Sequence, residues 1–208
     1  MLGRLTVKKW LRFAGVGLVC LAGGCAIQSG LVKISPAASY EPTRDKALIV
    51  FLRPSVYGGG VQASVYDITD NSDVFIGILS GKTKVAHLTG PGEKLFMVIG
   101  ENADFMKATL EAGKTYYALV SPRVGVWKAR FSLLPIHKDT TSKYRTESDE
   151  FREWLNTTQY IENTDASIAW YQMNKARVQA RKFEYLQKWD RMLPQDKEVL
   201  TLHANDGK

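Results

Sequence analysis

The chain has 208 residues, 45% hydrophobic and 24% charged, which is globular composition with room for one domain and a decoration or for two small domains. Its net charge of +7 suggests nucleic acid or an anionic surface until the charges are located. Arg4, Lys8, Lys9 and Arg12 fall in the first 24 residues, which hold no acid; the remainder carries 24 basic and 21 acidic residues, a net +3, and no nucleic-acid motif.

The N-terminal segment has three parts. Basic residues lie within positions 1–12, an apolar run of 12 residues follows from Phe13 to Gly24, and its small last residues precede a cysteine. That order is the grammar of a secretory signal peptide. A membrane-spanning helix needs about 20 apolar residues, so the run is too short to be one. The stretch Ala22-Gly23-Gly24-Cys25 resembles the lipobox of bacterial lipoproteins. The resemblance implies that the Cys25 sulfur receives a diacylglyceryl group, that cleavage makes Cys25 the first residue, and that its new amine is acylated. Ala22 stands where that family most often has Leu, with Leu21 one step further out. Ala26, rather than Asp, follows the cysteine, which in that family favours the outer membrane. Cys20 is a poorer acceptor because Val19 precedes it directly. Its removal with the leader leaves no free thiol, so disulfide, thiolate and cysteine–metal chemistry drop out together.

Residues 26–45 hold Pro36, Pro42 and several small or polar residues, and read as a flexible tether. From 46 to 136 the pattern is β. Strands are expected at 47–52, 61–67, 73–79, 84–88, 94–100, 105–110, 116–121 and 126–134. The first is continuously apolar, as a strand covered on both faces would be. The last alternates Trp127, Ala129, Phe131 and Leu133 against Lys128, Arg130 and Ser132. Turn signals such as "TDNSD", "TGPGE" and "EAGK" separate most of the runs. The fold class expected is α+β: an antiparallel β-sandwich of about eight strands, followed by a helical C-terminal segment over 137–208.

That segment opens with a polar connector. Ser148-Asp149-Glu150 then starts a short helix over 148–158. A second helix is expected from Asn163-Thr164-Asp165 to about Leu193, stopped by Pro194. It has two apolar stripes on opposite sides: Ala166, Ala169, Trp170, Met173, Ala176 and Ala180, and Ile168, Tyr171, Val178, Tyr185, Leu186, Trp189 and Met192. One stripe covers the sheets; the other packs on the short helix or meets a second molecule. Tyr171, Tyr185 and Trp189 of the second stripe are therefore candidate binding residues. Tyr57, placed in a Gly-rich turn, is another.

Catalytic signatures are missing from the sequence. Gly81-Lys82-Thr83 and Gly113-Lys114-Thr115 lack the upstream glycine of a phosphate-binding loop, since Ile76 and Ala108 occupy that position, so they read as turns and no nucleotide is expected. His87, His137 and His203 have no neighbours at metal-ligand spacing. No metal, cofactor or catalytic residue is assigned.

The motifs "ALIVFLRP", "IGILSGKTKVAHLTGPGEKLFMV" and "LEAGKTYYALV" resemble a family of β-domains of unknown function in Gram-negative lipoproteins, on Arg53-Pro54, Gly77 to Leu79, Pro91-Gly92 and Ala112 to Tyr117. They are also somewhat similar to surface-layer and PEGA-type sandwich domains. The resemblance implies an envelope location and supplies no catalytic residue. The expected protein is an outer-membrane lipoprotein, held in the membrane by lipid on Cys25. It serves as a non-catalytic binding or assembly module for an envelope protein or cell-wall polymer. The alternatives are a hydrolase of envelope glycan or peptide, and a purely structural lipoprotein.

Overall fold

The computed structural model describes residues 30–57, 61–123 and 130–208. Its strands are β1 (Val32–Ile34), β2 (Ala47–Arg53), β3 (Ala63–Asp67), β4 (Val74–Leu79), β5 (Thr83–Thr89), β6 (Gly92–Ile99), β7 (Ala103–Leu110), β8 (Thr115–Arg123), β9 (Arg130–Ile136), β10 (Gln159–Asn163) and β11 (Thr201–Leu202). Helix α1 (Asp149–Thr157) precedes β10, and α2 (Asp165–Asp190) and α3 (Pro194–Glu198) precede β11. The strands form a six-stranded sheet, β1-β10-β5-β2-β8-β9, and a five-stranded sheet, β11-β7-β6-β3-β4.

Strand alternation distributes the apolar side chains among three cores. In β2, Ala47, Ile49 and Phe51 join a central core between the sheets, while Leu48, Val50 and Leu52 face the other way, toward Phe151 of α1. The five-stranded sheet does the same. Val65, Phe96, Val98 and Met106 face the central core; Tyr66, Met97, Ile99 and Phe105 face α2. The layers therefore run α1, six-stranded sheet, five-stranded sheet, α2. Complete burial of β2 follows from that position, as its unbroken apolar run predicts.

The helices begin where their caps dictate. The Phe151 N–H donates to the Ser148 hydroxyl at 3.1 Å, opening α1. Thr164 and Ser167 exchange reciprocal side-chain-to-backbone bonds at the start of α2. Pro194 does more than end α2: it supplies the first turn of α3. Gly81-Lys82 and Gly113-Lys114 lie in turns between strands, with Thr83 and Thr115 opening the next strand, and Gly113 takes φ +77, which glycine adopts without strain.

The α+β class stands, and its finer description changes. The described residues contain eleven strands, not about eight. The pairs β2–β8, β5–β10 and β7–β11 are parallel, so the sheets are mixed rather than antiparallel. Strands also enter from outside the expected 46–136 domain. β10 and β11 interrupt the supposed helical segment, and β1 comes from the supposed tether. Residues 30–45 belong to the fold: Ile34 pairs with Ile161, and the Tyr40 ring meets Tyr160 at 4.9 Å. Residues 1–29, with Cys20 and Cys25, lie outside the described residues, as do positions 126–129 of the last expected strand, with Trp127, Lys128 and Ala129.

Arg53 ends β2 fully buried. Its guanidinium donates to the carbonyls of Val61 at 2.6 Å, Leu79 at 3.0 Å and Tyr57 at 3.3 Å, and lies 4.7 Å over the Phe131 ring. Burial brings its pKa down to about 10. One side chain thus ties β4 and both sides of the β2–β3 connection to β9. Arg53→Met strips partners from three carbonyls and is expected to cost roughly 2–4 kcal/mol in a urea unfolding titration. An unchanged midpoint would show that Arg53 is dispensable.

Candidate functional site

The four aromatic candidates have different fates. Tyr57 is exposed within the β2–β3 connection and contributes a backbone carbonyl to Arg53. Tyr171 is buried. Its hydroxyl donates to the Asp73 carbonyl at 2.8 Å, and its ring stacks on Phe75 at 5.0 Å and 10°. Trp189 is buried against Phe105, and Tyr185 is half-buried with Lys188 Nζ 4.2 Å from its ring centre. Apart from the exposed Ile168, the stripe proposed to meet a partner is therefore the one that α2 turns inward. The cause is size: this stripe holds more large apolar side chains than the alanine-rich one, so burying it removes more surface from water. Lys182 fixes the choice, with Nζ 2.8 Å from Asp73 Oδ1 in a largely buried ion pair.

One edge of α2 borders two open clefts. The first, of about 520 Å3, is lined by Ser64, Ile99, Glu101, Trp170, Arg177 and Arg181. The second, of about 330 Å3, is lined by Asp104, Arg123, Arg130, Tyr185, Lys188 and Trp189. Residues 170, 177, 181 and 188 share one line on a 3.6-residue helix, so the clefts follow a common edge. The β6–β7 turn separates them. Its buried Asn102 clamps Phe131 by two bonds of 3.0 Å, one accepted from the N–H and one donated to the carbonyl.

Basic side chains outnumber acids along this edge. Arg130 lies 3.9 Å from Glu101, Arg123 lies 3.6 Å from Asp104, and Arg181 lies 3.0 Å from Glu184. Burial raises the Asp104 pKa against the opposing pull of Arg123 and the Leu133 N–H. Arg177 has no carboxylate within ion-pairing distance among the described residues. The edge can therefore receive an anionic group without first breaking an ion pair at Arg177. The clue in the sequence was Arg177 and Arg181 at i, i+4, flanking the apolar stripes rather than within them.

The histidines serve elsewhere. His87 Nε2 lies 3.7 Å from Asp67, and His203 Nε2 lies 3.3 Å from Glu198. His137 Nδ1 lies 2.9 Å from Asp206, which also accepts from the N–H groups of Lys138 and His203. Asp206 thereby pins residues 203–208, where an added Cβ on Gly207 would come within 2.7 Å of Tyr116. Among the described residues, no cluster of His, Cys, Asp and Glu could hold a metal, and no helix is long and apolar enough to cross a membrane.

Burial alone would raise the Asp206 pKa; the bonds from His137, Lys138 and His203 outweigh it and hold the group below the ordinary 3.8. Its contribution to stability is complete above that value and is lost as pH falls through the depressed native one. Asp206→Asn is expected to cost about 2 kcal/mol at neutral pH and to flatten part of the acid limb of a stability–pH curve. Part of the limb remains, because Asp67 is depressed as well. A full acid limb in the variant would assign it to other groups.

No protein-family model matches this chain, and no curated protein matches it.

Proposed function

We propose that this protein is an outer-membrane lipoprotein, anchored through lipid on Cys25, whose β-sandwich presents the α2 edge as a non-catalytic binding groove. The ligand class is a cell-wall polymer bearing carboxylates or phosphates. The observation that carries the reading is the pair Arg177 and Arg181 bordering the 520 Å3 cleft, with Trp170 as an apolar wall. Guanidinium groups suit such a ligand, because their planar fork matches carboxylate and phosphate oxygens in pairs. A binding role is supported over hydrolysis by the state of the lining acids: Glu101 and Asp104 each face an arginine, and Asp104 also accepts the Leu133 N–H. The anchor rests on the three-part N-terminus and on Ala22-Gly23-Gly24-Cys25.

Co-sedimentation with purified peptidoglycan sacculi tests the groove. The parent protein is expected to pellet with them, and Arg177→Gln combined with Arg181→Gln to weaken that binding about tenfold or more, at an unchanged melting temperature. A double variant that pellets like the parent removes the groove from the reading. For the anchor, Cys25→Ser is expected to abolish incorporation of labelled fatty acid in cells, and unchanged labelling would end the lipoprotein reading.

A further inference from the structure

The outward face of α2 carries an apolar line that no described residue covers. Ala166, Ala169, Met173, Ala176, Ala180 and Phe183 recur at alternating spacings of three and four, which keeps them on one side of the helix. All six are exposed, Met173 by 79% and Phe183 by 69%. Four of the six are alanines, so the apolar area concentrates at Met173 and Phe183.

The start of the described chain limits what that partner is. The Thr164 hydroxyl, which caps α2, donates to the carbonyl of Leu31 at 3.0 Å, and β1 is locked to β10 immediately beyond. Cys25 precedes Leu31 by six residues. Six residues span at most roughly 20 Å when fully extended. A lipid-bearing Cys25 therefore holds the N-terminal end of α2 within about that distance of the bilayer surface. The helix itself, with 26 residues, is about 39 Å long. Arg177, Arg181 and Lys188 border the apolar line on one side, where Glu184 pairs with Arg181, and Lys33 of β1 pairs with Glu162. Apolar wedges bordered by basic side chains are the composition of helices that lie in a membrane interface.

We infer that the outward face of α2 rests on the lipid surface to which Cys25 is anchored, with Met173 and Phe183 entering the headgroup layer. This rests on the lipoprotein reading and adds to it an orientation: α2 faces the bilayer and α1 faces away.

The test uses the full acylated chain, reconstituted into vesicles of phosphatidylethanolamine and phosphatidylglycerol. A fluorophore is placed through Met173→Cys, Phe183→Cys or, on α1, Glu153→Cys, and lipids carrying a nitroxide quencher are added. Mass spectrometry of the same preparations reads acylation of Cys25. The expected result is loss of most of the emission at 173 and 183, with emission at 153 retained. Acylated protein that keeps its emission at 173 and 183 overturns the docking and leaves the lipoprotein reading intact. Absence of acyl groups on Cys25 overturns both. Self-quenching at 173 that grows with protein density but ignores the lipid quencher assigns the face to a second copy, and overturns the docking as well.

Discussion

Strand β2 has no face that meets water. Its odd residues fill the space between the two sheets and its even ones fill the space beneath α1, so the six-stranded sheet must be covered on both sides. The five-stranded sheet inherits the same requirement, because Tyr66, Met97, Ile99 and Phe105 leave it with an apolar outer face. Two sheets with four apolar faces need two helical covers, and α1 and α2 are those covers. Everything outward of them, including the clefts along α2, is placed by that demand.

The two helices meet the demand differently. α1 is nine residues long and inserts Phe151, edge-on to Tyr117 at 4.9 Å. α2 spans its sheet and is fixed by polar bonds as well as by packing. Asp73 accepts from Lys182 and Gln179, and its carbonyl accepts from Tyr171. A helix held on its inner side by both kinds of contact can carry arginines on its edge in a fixed place. Binding groups set on a rigid element lose little freedom when a ligand arrives.

How much of this could be read from residue order depends on whether the deciding contact is local. The strands between Ala47 and Ile136 were readable because alternation and glycine-rich turns are local signals, and both helix starts because Ser148 and Thr164 are local caps. β1, β10 and β11 were not. They are two to five residues long, and Ile34 becomes a strand residue by pairing with Ile161. No window around either residue carries that information. The inward turn of Tyr171 and Trp189 was unreadable for a related reason. Periodicity showed two stripes on α2 but not which one the sheet would take; the choice fell to the area buried and to Asp73, more than a hundred positions from Lys182 in the pairing. The cleft edge was missed because Arg177 and Arg181 matter only beside the β6–β7 turn, which the fold brings to them.

The late strands also bear on how the chain avoids its own kind. A sheet edge left open is a template for another molecule's strand. Without residues 159–163 and 201–202, the long strands β5 and β7 would each present a bare edge of backbone donors and acceptors. In the finished fold β10 pairs with Thr83 and Lys84 of β5 and β11 with Lys107 and Ala108 of β7, and the outermost positions on that side belong to β1 and β11, of three and two residues. Edges that short offer too little backbone for a foreign strand to grip. Partial cover for these two edges is thus supplied by the parts of the sequence that look least like strands, while β9 and β4 form the opposite edges of the two sheets.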